Sequence, residues 1–347
     1  MAALSVLDLA RSLVDIDSTT GWEAAACAWL AGHLRERGFR VTWQPLSGGR
    51  ANILALVDPK PVVVLSTHLD CVPPFFPSRV EGGRLFGRGA CDAKGALAAQ
   101  VAAAERLREH GEGRVGLLFV VGEERGSDGA KVANAISPGP RFLVNGEPTE
   151  SKLGLATRGA FRVRLRATGR AAHSSQPRLG VSAIDLLIDA LVELRGITLP
   201  EDPDLGRTFY ATGLISGGIA PNVISPSAEA ELNFRTVGPG AAVLERLAPL
   251  RSRVAIETVL EVPPVRMRTV PGFETAAFAF TTDVPLLDGW GQPLLFGPGS
   301  VVDAHTDGDH VDIAELEAAV LAYERISRAL LREASSSQTR PSPSSTS

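Results

Sequence analysis

Three cysteines in 347 residues are too few, and odd in number, for a disulfide framework. Cys27, Cys71 and Cys91 fit the reducing cytoplasm, the expected location. No apolar run is long enough to span a bilayer, so no membrane partner is expected. The N-terminus, Met-Ala-Ala-Leu-Ser-Val-Leu-Asp-Leu-Ala-Arg, lacks a basic start, an apolar block and a small-residue cleavage site. Its leucines and valines recur at helical spacing and predict a first helix in place of a signal peptide. There is no long basic run and the net charge is −4, which argues against a nucleic-acid partner. A G-x-S-x-G nucleophile elbow is missing. The G-x-G-x-x-G match at Gly111–Gly116 follows a helix and opens a strand, the reverse of what phosphate binding at a helix N-terminus requires. The chain has no internal repeat.

What is present is ordinary for a soluble globular protein: 44% hydrophobic and 21% charged residues. The length allows two domains, or one large domain with an insert. Residues 4–37 read as two helices. Strands follow at Arg40–Trp43, Asn52–Val57 and 62–67, then a Gly-rich loop through residue 90. An alanine-rich helix (Gly95 to about His110), a strand (115–121), a helix (129–136) and a strand (141–145) complete an alternation that predicts an α/β domain with a mostly parallel sheet and helices on both faces. Near residue 158 the pattern changes. Ala160–Thr168 alternates strictly, and a helix (182–194), strands (208–216, 227–236), a helix (241–251) and a strand (254–262) follow. That β-α-β-β-α-β order predicts an inserted ferredoxin-like α+β domain. The expected division is 1–157 plus 265–333 for the α/β domain and 158–264 for the insert. A closing helix is expected over about 312–332, and the Ser/Pro-rich segment 334–347 is read as a disordered tail.

Functional groups in open parallel sheets gather beyond the carboxyl ends of the strands. Here three strands end in Thr67-His68-Leu69-Asp70, Gly122-Glu123-Glu124 and Gly146-Glu147-Pro148. Asp92 lies in the loop Gly87–Gly95, and His305 follows a Gly-Pro-Gly turn. His68, Asp92, Glu124, Glu147 and His305 are thus nitrogen and oxygen donors that can converge on one rim. Two imidazoles and three carboxylates suit zinc, cobalt or manganese better than calcium, and a bridging carboxylate can hold two ions. If the strand continues past His68, Asp70 faces the same side and takes the second ring N–H. Glu123 is then free to accept a proton from water. Each residue also has a plainer reading: a structural histidine, a solvated Glu-Glu turn, an N-cap in Asp92. Their coincidence at strand ends and in the intervening loop favours the metal site. His33 and His110 read as structural or solvated, and His310 remains open as a competing ligand. Cys71 and Cys91 flank presumed ligands but lack a thiolate-site pattern.

The segments Ser-Thr-His-Leu-Asp, Gly-Arg-Gly-Ala-Cys-Asp-Ala-Lys-Gly, Gly-Glu-Glu and Gly-Glu-Pro-Thr-Glu, followed by a late histidine, resemble the dinuclear zinc hydrolases that include acetylornithine deacetylase, succinyl-diaminopimelate desuccinylase, aminoacylase and glutamate carboxypeptidase. The resemblance spans nearly the whole chain before the tail. It implies two divalent ions, zinc or cobalt, with His68 and Glu147 on one, Glu124 and His305 on the other, and Asp92 bridging. It also implies Glu123 as general base and proton shuttle, with Asp70 behind the first histidine. The inserted domain would form a homodimer. In it, Gly-Arg-Ala-Ala-His-Ser resembles the segment whose histidine stabilises the oxyanion, which implies that role for His173, and Asn222 and Arg235 resemble positions that contact substrate, Arg235 its carboxylate. Where the family continues from the late histidine into a glutamate, this chain offers an aspartate, which leaves the surroundings of His305 open. Glu147 and Leu-Asp-Cys-Val-Pro-Pro-Phe-Phe-Pro lean toward the acetylornithine deacetylase-like branch. The implied activity is removal of the acyl group from a small N-acyl amino acid. The alternatives are a dipeptidase or carboxypeptidase on the same site, or a non-catalytic homodimer that keeps only the fold.

Overall fold

The computed structural model describes residues 4–338. The chain forms two compact units: one from the residues up to 155, 267–276 and those from 282 onward, the other from 156–266 and 277–281.

The first unit is built on a six-stranded sheet in the order Arg40–Pro45, Ala51–Leu56, Val115–Val120, Val63–His68, Phe142–Asn145, Gln292–Leu295. The last four strands are mutually parallel and the first two run antiparallel. Val63–His68 and Val115–Val120 are buried along their whole length, the signature of a sheet covered on both faces. Alternate residues serve the two faces. Leu65, Leu117, Phe119 and Val144 pack with the helices Val6–Val14, Ala24–Glu36, Gly95–Glu109 and Ile313–Gln338. Val64, Leu118, Val120 and Leu143 meet Ala130 and Ala133 of the helix Asp128–Asn134, together with Leu287 and Trp290.

The second unit has the order Gly159–Thr168, Ala183–Leu194, Phe209–Gly217, Ser227–Thr236, Gly240–Arg246, Ala255–Val262. Its four main strands lie antiparallel as Phe209–Gly217, Ser227–Thr236, Gly159–Thr168, Ala255–Val262. This is the ferredoxin-like insert that the alternation predicts. Phe161, Val163, Leu165 and Ala167 face the helices, while Arg164 and Arg166 lie on the other face and pair with Glu231 and Glu257 at 3.0 and 3.2 Å.

Three features differ from expectation. The Gly-rich loop contains a hairpin, Arg79–Glu81 with Arg84–Phe86, which His310–Asp312 joins as a third strand. The segment after residue 284 supplies the sheet's parallel edge strand, Gln292–Leu295. The closing helix runs to Gln338, past the residue where a tail was expected; its serines at 335 and 336 satisfy their hydroxyls on carbonyls three and four residues back. The rest of that expected tail lies outside the described residues. Among the described residues no helix is long and apolar enough to cross a membrane.

The start of the helix Gly95–Glu109 bears directly on Asp92. A Cβ at Gly95 would stand 2.6 Å from the carbonyl oxygen of Ala90, a contact that backbone must relieve. Helix propensity alone favours Gly95→Ala by about 1 kcal/mol; overpacking costs roughly 1–3 kcal/mol. Urea unfolding of Gly95→Ala should therefore show a net loss of stability. A gain would mean that the turn before the helix yields freely.

Candidate metal centre and active site

Parallel strands place their carboxyl ends at one edge of the sheet, and the candidate residues collect there. His68 closes its strand, and its Nδ1–H donates to the Asp70 carbonyl at 2.9 Å. That bond places the proton on Nδ1 and leaves Nε2 as the coordinating nitrogen of the neutral ring. Nε2 lies 3.0 Å from Oδ1 of Asp92 and 3.9 Å from Oε2 of Glu147. The other oxygen of Asp92 lies 3.2 Å from Nε2 of His305, which stands 2.8 Å from Oε1 of Glu124. Two donor groups result, His68–Asp92–Glu147 and Asp92–Glu124–His305, each with its donor atoms within 4.8 Å of one another. Asp92 belongs to both. It does not cap the following helix, where no side-chain cap is made.

Asp70 organises the Glu-Glu turn. Its Oδ1 accepts the N–H of Glu123 at 3.0 Å; its Oδ2 accepts the N–H of Glu124 at 3.2 Å and the Thr20 hydroxyl at 2.8 Å. The strand stops at His68, so the ring N–H meets the carbonyl of Asp70, not its carboxylate as a continued strand would have it; Oδ1 stands 3.6 Å away. Gly122, at φ 79°, makes the left-handed bend that turns both glutamates onto Asp70. His305 also holds a left-handed backbone, φ 63°, uncommon outside glycine.

The donor set fits divalent cations. Oε1 of Glu147 is buried without a hydrogen-bond partner, as are both oxygens of Asp283. Unpaired buried carboxylate oxygens are costly unless a cation faces them. Imidazole mixed with carboxylate suits zinc, cobalt or manganese better than calcium.

A model of peptidase family M20/M25/M40 matches residues 64–329. The chain belongs to this family. A peptidase M20 domain-containing protein of Schizosaccharomyces pombe is 35% identical over 335 residues, 93% of this chain and 84% of that protein. A probable carboxypeptidase of Aspergillus clavatus is 35% identical over 376 residues, 95% of this chain and 83% of its own length. A solved tripeptidase from Staphylococcus aureus matches with a TM-score of 0.78 at 20% identity, covering 94% of this chain and 98% of that one; that likeness speaks for the fold.

The electrostatics of this M20 family rim follow from burial and charge. Burial opposes a charged His68, but the nearby Asp70 carboxylate, the hydrogen bond to Asp92 and the Glu147 charge outweigh it and hold the imidazole well above its usual range. The carboxylates of Asp92 and Glu124 push His305 up to about 10. Burial raises Asp92 too, yet its bonds to His305 and His68 prevail and its pKa falls. Glu123 and Glu147 go the other way. Burial raises both well above the carboxylate range; His68 opposes this, and neighbouring acids reinforce it.

Asp283 escaped the sequence reading. Burial pushes it up to about 6. No strand end marks it; a Thr-Thr-Asp before a short helix carries no pattern. His310 joins neither donor group. It packs against Phe86 with ring centroids 5.0 Å apart, and its Nδ1 faces the Gly308 carbonyl at 2.7 Å. His33 is structural, 2.9 Å from Glu105, and His110 bonds the Arg106 carbonyl at 2.6 Å. His173, Asn222 and Arg235 lie in the second unit. His173 and Asn222 are exposed in facing loops, where the Ser174 N–H donates to the Asn222 carbonyl at 2.9 Å. Arg235 is half-buried on the strand Ser227–Thr236.

These shifts give a signed expectation for metal-free protein. A histidine raised in the fold stabilises fully below its unfolded pKa and loses that contribution as pH rises through its folded one, about 10 for His305. Buried glutamates with raised pKa act in the same direction, since the folded state binds the extra proton. Urea midpoints of metal-stripped protein should fall between pH 7 and 10, and adding zinc should release protons and flatten the decline. A metal-free midpoint that rises over this window would contradict the assigned charge states.

Proposed function

We propose that this chain is a dinuclear metal hydrolase that cleaves the amide joining an acyl group to an amino acid with a free carboxylate. The observation that supports it is Asp92, each of whose oxygens faces one of two His–carboxylate groups. Zinc is the ion we favour, with cobalt able to replace it; bound between these donors, two ions would acidify water and polarise the carbonyl.

In this scheme His68 and Glu147 would hold one ion and Glu124 and His305 the other, with Asp92 shared between them. Asp70 keeps Glu123 and Glu124 in register through their backbone N–H groups. Glu123 takes the proton from the attacking water and passes it to the departing nitrogen, leaving a carboxylate and a free amine. Its buried setting suits a group that holds a proton between those transfers. His173 accepts the Ser175 N–H on Nδ1 at 3.2 Å, so Nε2–H is available to an oxyanion. Arg235 is lowered by burial and then by Arg162, with no acid offsetting them, which leaves its guanidinium for the substrate carboxylate, with Asn222 beside it in the scheme.

The acyl group separates two versions. If it is an amino acid residue, the enzyme is a carboxypeptidase or dipeptidase; if it is acetyl, it is a deacylase of the acetylornithine type. The probable carboxypeptidase relative, matched along 95% of this chain, favours the first. Glu147 and the segment after His68 favour the second. Amine release from N-acetylornithine, other N-acyl amino acids, N-blocked dipeptides and free dipeptides, by zinc- or cobalt-loaded protein, tests both. Glu123→Ala should lose at least about 100-fold in kcat while still holding two ions. An active Glu123→Ala would remove the assigned base, and a metal-loaded wild type silent on every amide would leave the non-catalytic reading.

The same proposal includes a homodimer through the second unit. Phe209–Gly217 is an edge strand, and Leu214 and Ile215 are 66% and 62% exposed on it. An apolar, unpaired edge is a pairing surface unless it is covered. Sedimentation should show a dimer that Leu214→Lys dissociates; a monomeric wild type would refute the arrangement.

A further inference from the structure

We propose that Asp309 is a positioning residue that sets the bridging carboxylate Asp92 and so controls the affinity of both metal positions. The inference rests on the dinuclear reading above, and Asp309 itself is in neither donor group. Its side chain is 1% exposed. One oxygen accepts the Gly89 N–H at 2.9 Å and the Arg88 Nη1–H at 3.2 Å; the other accepts the Cys91 N–H at 2.9 Å. Its backbone carbonyl takes the Gly87 N–H at 3.0 Å. One residue thus holds both ends of the turn whose next residue is Asp92.

The same aspartate stands at the end of the turn that carries His305. Its N–H lies 3.3 Å from the Thr306 carbonyl, and the Thr306 hydroxyl donates to the Asp303 carbonyl at 2.7 Å. Just beyond, His310–Asp312 pairs with Arg84–Phe86. Asp309 therefore ties the Asp92 turn to the His305 turn. Arg88 is also buried. It donates from Nε to the Pro74 carbonyl at 3.1 Å and lies 4.9 Å over the Phe76 ring. It balances the Asp309 charge, whereas the two amides are what orient the turn. A carboxylate can serve all three donors at once. Asparagine cannot, because its NH2 would face N–H groups.

The test compares Asp309→Asn, Arg88→Gln and the exposed control Asp312→Asn in the full chain. The readouts are zinc affinity by chelator competition, the visible spectrum of the cobalt form, and melting temperature with and without metal. Asp309→Asn should bind both ions on the order of tenfold more weakly, in line with the effect of residues that orient metal ligands. It should also shift the cobalt spectrum and shrink the metal-induced rise in melting temperature. Arg88→Gln should lower the metal-free melting temperature but keep that rise, since the two amide bonds persist. Asp312→Asn, whose partner is the exposed Arg84 at 2.9 Å, should match wild type. Should Asp309→Asn fail to fold, the double variant Arg88→Gln/Asp309→Asn removes the buried charge with its partner and carries the same comparison. A merely structural role predicts lower melting temperatures with unchanged affinities, and that result overturns the proposal alone. Wild-type protein that binds no second ion would overturn the dinuclear reading and the proposal together.

Discussion

More carboxylate is buried at the end of this sheet than its histidines can neutralise. Asp70, Asp92, Glu123, Glu124, Glu147 and Asp283 stand against His68 and His305, and Asp70, Glu147 and Asp283 are almost fully buried. Each desolvated charge costs several kcal/mol unless it is paired or hydrogen-bonded. Some relief is built in. Asp70 receives two backbone N–H groups and a hydroxyl. Asp92 lies between two imidazoles. Glu147 and Asp283 keep oxygens without partners. That residual imbalance is the constraint the rim is shaped around, and divalent cations are its natural counterpart.

The fold supplies the means to bring such groups together. Parallel strands end at one edge, so the strand 63–68 delivers His68 as its last residue, and short extensions beyond 115–120 and 142–145 deliver Glu123, Glu124 and Glu147 without any long loop. The remaining donors, Asp92 and His305, sit on turns and need separate restraint. His305 is held in a left-handed backbone conformation, and Asp309 bonds the Asp92 turn directly. Strand ends and the turns just beyond them hold four of the site's residues; separate hydrogen-bonded turns hold Asp92, which belongs to both donor groups, and His305, which belongs to one.

This division also explains what could be read in the amino-acid order. Fully apolar runs such as Val-Gly-Leu-Leu-Phe-Val-Val announce covered parallel strands, and Ala160–Thr168 announces a half-solvated sheet by its alternation; both are local patterns. The residues beyond those strands were legible for the same reason. Asp283 was not, since its importance lies in burial and in the acids around it. The hairpin at 79–86 was hidden because strands of three residues, paired with a third strand more than two hundred residues away, leave no periodicity. Asp309, one of two aspartates soon after the late histidine, carried no pattern of its own. Its meaning depends on three donors from a distant turn.

Glu123 shows how tightly charge balance and chemistry are joined. Burial, reinforced by the neighbouring acids, raises its pKa well above the usual carboxylate range and so favours the protonated form. In that state it has no capacity to accept a proton from water. Positive charge a few ångströms away acts in the opposite sense and favours the carboxylate. In the proposed scheme the basicity of Glu123 would therefore depend on the same cations that the unpaired oxygens of Glu147 and Asp283 call for. A glutamate in an exposed turn would be a base whether or not the site were filled. Under the same scheme, the burial of Glu123 would tie its basicity to the charge of the whole rim, and readiness for hydrolysis to complete assembly of the centre.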